Sequence, residues 1–165
     1  MILAVIAGLV LALTPFVADK FFPVPENIVR QAKPEAAANA LKRWFNDPEA
    51  DFLAVQAINK TSADSNTGWF TFSVGRGPVE KYIIGKKLKQ KTIDEVILKD
   101  TFFNDNPPAT WWQPEAINQE TYFTGEDQGR TVSLMYNPTS KRGILVTSTI
   151  VTGNSSTNTT QVIKK

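Results

Sequence analysis

An α+β fold is the class this sequence predicts, on three observations. Apolar residues recur near helical spacing between Glu26 and Phe45. Strand-length apolar or alternating runs occupy Phe52 to Ile58, Trp69 to Val74, Tyr122 to Thr124, Arg130 to Tyr136 and Gly143 to Val151. Turn-forming residues punctuate the last three runs, as in an antiparallel meander. The expected body is a helix or helix pair packed on a mainly antiparallel sheet with one inserted short helix.

Ahead of that body lies an apolar run from Ile2 to Ala18, interrupted by Gly8, Thr14 and Pro15 and free of charge before Asp19. As a helix it would be about 26 Å long, near the lower limit for crossing a bilayer core. Its lipid-facing set would be Ile2, Leu3, Val5, Ile6, Leu9, Val10, Leu11, Leu13 and Phe16, with Phe21 and Phe22 reaching the interface. A cleaved signal peptide is the main rival, and a buried core helix the third reading. Cleavage after Ala18 would place Phe16 where a small residue is wanted, and no basic segment precedes the run. Residues 1–22 are therefore expected to be a membrane anchor, with a signal peptide as the alternative. Lys20, Arg30 and Lys33 follow the run, which by the positive-inside rule favours a cytoplasmic body; the absence of Cys suits an exported one. The expectation adopted is an extracytoplasmic body, periplasmic or at the cell surface.

Residues 23–151 are expected to form one α+β domain. Pro23 and Pro25 stiffen the exit from the anchor. In the helical stretch Ile28, Ala32, Ala36, Ala40, Leu41, Trp44 and Phe45 make the stripe, Pro34 marks a break or a second start, and Asn46, Asp47 and Pro48 end it. Asn59 to Gly68 reads as a long polar loop between two strands. Pro78 opens a short helix whose apolar stripe is Val79, Tyr82 and Ile83, with Leu88 as a further candidate, weakened by Gly85. Thr92 to Leu98 fits strand or helix equally well, and Phe102 to Pro114 is an aromatic, Pro-rich loop. From residue 152 to 165 the chain turns to Ser, Thr, Asn and Gly, a composition that predicts a disordered tail.

With 42% hydrophobic residues and 10 Phe, 4 Trp and 3 Tyr, the chain of 165 residues has the profile of a folded domain. It contains no Cys and no His. That excludes disulfide frameworks, thiol nucleophiles, His-ligated zinc or haem and the Ser-His-Asp triad. No cofactor is expected. Asp105, Glu115, Glu120, Glu126 and Asp127 show no spacing that singles out an acid/base pair, and Ser133 and Ser140 have no evident base. The expectation is a non-enzymatic protein.

Charge is segregated although the net is only +2. The cluster Lys86, Lys87, Lys89 and Lys91 would suit anionic lipid headgroups or an acidic partner, against the simpler reading of a solvated helix end. Nucleic acid is not an expected partner, since no basic stripe with interleaved aromatics accompanies the lysines. Gly75, Arg76, Gly77 and Pro78 lack the Lys-Ser/Thr pair of a phosphate loop and read as a strand-to-helix turn. Trp111 and Trp112, held between Pro107, Pro108 and Pro114 with Glu115 nearby, are the candidate partner surface; the alternative is that both rings cap the core.

Trp69-Phe70-Thr71-Phe72, the helix after Pro78, Trp111-Trp112-Gln113-Pro114, Tyr122 and Tyr136-Asn137-Pro138-Thr139 follow one another in an order that resembles small bacterial exported or membrane-anchored proteins of unknown function. The resemblance covers roughly the second half of the chain and implies no catalytic residue. The leading functional expectation is a membrane-anchored accessory subunit that binds membrane lipid through its N-terminal helix and another cell-envelope protein through its body. The alternative is a glycan- or envelope-polymer-binding module using Trp111 and Trp112, and an enzyme of unidentified type comes third.

Overall fold

The computed structural model describes residues 28–103 and 109–150. The expected anchor, the tail and the Pro107-Pro108 pair lie outside these residues. The described chain is α+β, with a seven-stranded antiparallel sheet and three helices. In chain order these are β1 Ile28–Gln31, α1 Pro34–Trp44, β2 Leu53–Thr61, β3 Ser65–Ser73, α2 Arg76–Gly85, β4 Lys89–Thr92, α3 Glu95–Ile97, β5 Thr121–Asp127, β6 Arg130–Asn137 and β7 Arg142–Ile150. The sheet order is β1-β2-β3-β7-β6-β5-β4. No helix among the described residues is long and apolar enough to cross a membrane.

The N-terminal helical expectation needs correction at its start. Ile28 to Gln31 pair with Thr61 to Ile58 of β2, and only from Pro34 does the chain turn helical. Proline explains the boundary: it holds the residue before it out of the helical region and fits the first turn, where no amide partner is needed. α1 ends as expected at Asn46, which takes φ 50° while the Asp47 and Asn46 amides donate to the Lys42 and Arg43 carbonyls. α2 ends in the same way at Lys87, φ 53°, with Leu88 and Lys87 donating to Ile83 and Ile84. Gly85, expected to weaken α2, is its last residue.

The loop expected over residues 59–68 is mostly sheet. Asn59, Lys60 and Thr61 pair with Gly68, Thr67 and Asn66, leaving a tight connection closed by Ser62 and Ser65, whose hydroxyls lie 2.9 Å apart. The ambiguous stretch from Thr92 to Leu98 divides: Thr92 ends β4, and Asp94 caps α3 by accepting a hydrogen bond from the Ile97 amide at 2.7 Å. α3 runs on into a π turn, Leu98–Phe102. The β5–β6 hairpin closes through Gln128 and Gly129, both at positive φ, the two-residue geometry that matches strand twist.

Alternation along the strands makes two cores. On one face Ala37 and Leu41 of α1, Phe45 just after it, and Val79 and Tyr82 of α2 pack on Phe72, Val132, Leu134 and Leu145. Phe45 stacks on Tyr82 at 4.3 Å, with Phe52 and Phe72 edge-on around it. On the opposite face Phe102, Trp112 and Ile117 cover Trp69, Met135, Ile144 and Val146. Gly143 lets β7 pass under Phe72, because a Cβ there would stand 2.6 Å from that ring.

Candidate functional site

Trp112 belongs to the core: it is 5% exposed, and its indole N–H donates to the Phe102 carbonyl at 2.7 Å. Trp111 is half-buried and meets Trp112 edge-on at 6.0 Å. Glu115 is exposed on a 3₁₀ turn, Pro114–Ile117. That turn is held by Asn137, whose amide donates to the Ile117 carbonyl at 2.9 Å while its oxygen accepts from the Thr139 and Ser140 amides. Of the candidate partner surface, the exposed part of Trp111 and the Glu115 carboxylate therefore remain available.

The four lysines are divided. Lys87, Lys89 and Lys91 line one open groove with Thr124 and Glu126. β4, which carries Lys89 and Lys91, is an exposed edge strand rather than a helix end, and lysines there oppose edge-to-edge pairing. Lys86 turns inward and bonds Asp127 at 2.7 Å.

Asp127 is 4% exposed at the end of β5 and also faces Arg130 at 3.7 Å and the Tyr82 hydroxyl at 3.5 Å. Burial, with the Asp127 charge adding to it, raises the Tyr82 phenol above its ordinary range, so it stays protonated. Tyr136, also raised by burial, donates to the Val74 carbonyl at 2.8 Å. The Lys86–Asp127–Arg130 group joins the end of α2 to the β5–β6 turn. Arg130 in turn lies over the Trp44 ring at 4.5 Å, and Trp44 meets Phe70 edge-on at 5.0 Å.

Against that aromatic pair the helix-side face of the sheet turns polar. Asn59 of β2, Asn66 and Gly68 of β3, and Thr147 and Thr149 of β7 complete a recess of about 260 Å³ with Trp44, Phe70 and Arg130. Pairing explains the assembly, since Asn59 and Thr147 both lie opposite Gly68 and Thr149 lies opposite Asn66. No group of three or more His, Cys, Asp or Glu side chains that could hold a metal occurs among the described residues. The arrangement can hold a polar ligand by hydrogen bonds and one guanidinium. None of these residues was singled out as a site residue from the sequence.

The class defined by the fold is a single antiparallel sheet covered on both faces, with a polar recess where the helical cover ends. No family model, curated protein or solved structure matches the chain.

Proposed function

We propose that the protein is a non-enzymatic, membrane-anchored interaction subunit whose body lies outside the cytoplasm and binds another cell-envelope protein. The observation that supports this most is the polarity of the body. The described chain joins the sheet at Ile28, opposite Thr61, and leaves it at Ile150, opposite Ser65, so both ends meet the sheet around the β2–β3 connection. Trp111 and Glu115 belong instead to the segment pinned by Asn137, at the other end of the central strands. A body tethered through the apolar N-terminal run would thus present Trp111 and Glu115 away from its tether.

The test is co-purification of the full chain from detergent-solubilised membranes. A stoichiometric protein partner is expected, and it should be lost from the Glu115→Lys and Trp111→Ala variants while their melting temperatures stay near wild type. Full-length chain recovered alone, or a partner retained by both variants, would overturn the reading.

A further inference from the structure

We propose that the recess beside Trp44 binds an acidic saccharide, one uronic-acid-type ring resting on Gly68 and Thr147 with its carboxylate on Arg130. This goes beyond the protein-partner reading and uses none of the same residues.

Depth comes from Gly68. A Cβ there would stand 2.9 Å from the Thr147 hydroxyl and 3.1 Å from the Phe70 ring, so any side chain would fill the floor. Thr147 is 7% exposed, and its hydroxyl, which would stand 2.9 Å from a Cβ on Gly68, lies at the floor of the recess. There it can donate to and accept from a ligand hydroxyl. The exposed Asn66 amide and the part-exposed Thr149 hydroxyl also line the recess, and the Asn59 amide reaches Thr61 only at 3.5 Å. Two amides and two hydroxyls supply donors and acceptors in the mixture that vicinal hydroxyls need. Trp44 and Phe70 add apolar surface for the C–H side of a sugar ring.

Charge selects the acidic sugar. No Asp or Glu lines the recess. Asp127 bonds Lys86 at 2.7 Å and stands 3.7 Å from Arg130, so two cations share one carboxylate and a positive charge is left over. Packing over Trp44 holds the guanidinium in place; its Nε donates to the Asp127 carbonyl at 3.4 Å and its Nη2 to the Gln128 side chain at 3.5 Å, and its remaining N–H groups can meet a carboxylate. Size argues for a single ring, since 260 Å³ falls short of the roughly 300–1,000 Å³ that encloses a drug-sized ligand. Trp44 also lines a neighbouring groove of about 500 Å³ that carries Arg43, Lys81 and Lys86, where a second acidic unit of the same chain would lie.

The full chain in detergent should be titrated calorimetrically with a galacturonate trisaccharide, with maltotriose as the neutral counterpart and with sodium acetate and sulfate as bare anions. Saturable one-to-one binding of the acidic trisaccharide is expected, at least tenfold tighter than maltotriose or either anion. Arg130→Gln and Gly68→Ala should each weaken it at least tenfold. Because the Gly68→Ala methyl crowds Thr147, Asn66→Asp serves as a second variant: it adds a carboxylate at an exposed position and should abolish binding with the melting temperature unchanged. Lys91→Gln, outside the recess, should bind as wild type. No saturable binding by wild type, equal binding of acetate or sulfate, or wild-type affinity in the Asn66→Asp chain would overturn the proposal.

Discussion

α1 and α2 cover one face of the sheet with backbones whose interior amides and carbonyls are already paired, so they need bring only side chains to the core. The opposite face is covered, in the described parts of residues 93–117, by α3, a π turn and a 3₁₀ turn, whose backbone must be tied down piece by piece. The ties are specific: Asp94 to the Ile97 amide, the Trp112 indole to the Phe102 carbonyl, Asn137 to the Ile117 carbonyl, and the Ile93 amide to the Glu120 carbonyl. Even so, the indole nitrogen of Trp69, fully buried on that side, has no hydrogen-bond partner. Regular cover is thus stabilised by area, and irregular cover depends on a few bonds.

The largest effect that would sharpen this comparison is at Trp112. Trp112→Ala removes a core side chain and the tie to Phe102 together, and should cost about 3–5 kcal/mol in urea denaturation. Native-state hydrogen exchange should then show amides of residues 93–103 and 109–117 opening before those of α1 and α2. Equal protection of both covers would break the comparison.

Asn137→Asp comes next. The carboxylate keeps its bonds from the Thr139 and Ser140 amides but cannot donate to Ile117, so a loss of about 1–3 kcal/mol is expected, with exchange speeding up around Ile117. If Asn137→Asp is as stable as wild type, that tie contributes nothing.

On the helix side the test is alkaline pH. Tyr82 has its folded-state ionisation raised above the unfolded value near 10, so the folded chain holds the proton that the unfolded chain releases. Its contribution is complete below about pH 10 and falls as pH rises beyond that, by at most about 1.4 kcal/mol per pH unit. Tyr82→Phe should reduce this slope, and Tyr136, raised in the same direction, should supply what remains. An unchanged slope in denaturation curves measured between pH 9 and 11 would show that Tyr82 is not the group responsible.

The smallest expected effect returns to the irregular side. Asp94→Ala removes the cap of α3 and should cost about 1 kcal/mol, most visibly as faster exchange at Ile97.

Local patterning was enough for β6, β7 and the end of α1. Alternation marked the strands, while Gly129 and Asn46 supplied the turn and stop chemistry at positive φ. It missed β4, because Lys-Gln-Lys-Thr on an exposed edge has no buried face and hence no apolar alternation. It read residues 59–68 as loop because the ends of β2 and β3 extend past the hydrophobic core, where strand pairing no longer needs apolar residues. Trp111 and Trp112 stood out by residue type, yet whether an indole caps a core or meets a partner depends on what lies beneath it. For Trp112 that is the Phe102 carbonyl, ten residues away.

By itself the sequence determined the fold class, the chemistries ruled out by the lack of Cys and His, and the places where helices stop and hairpins turn. These follow from bonded geometry and side-chain periodicity over a few residues. The tertiary structure alone decided strand order, the burial of Trp112, the inward turn of Lys86 and the recess. Residues from α1, β2, β3, β6 and β7 meet there because β2, β3, β7 and β6 lie side by side in the sheet next to the end of α1, and no local pattern records which strand will lie beside which.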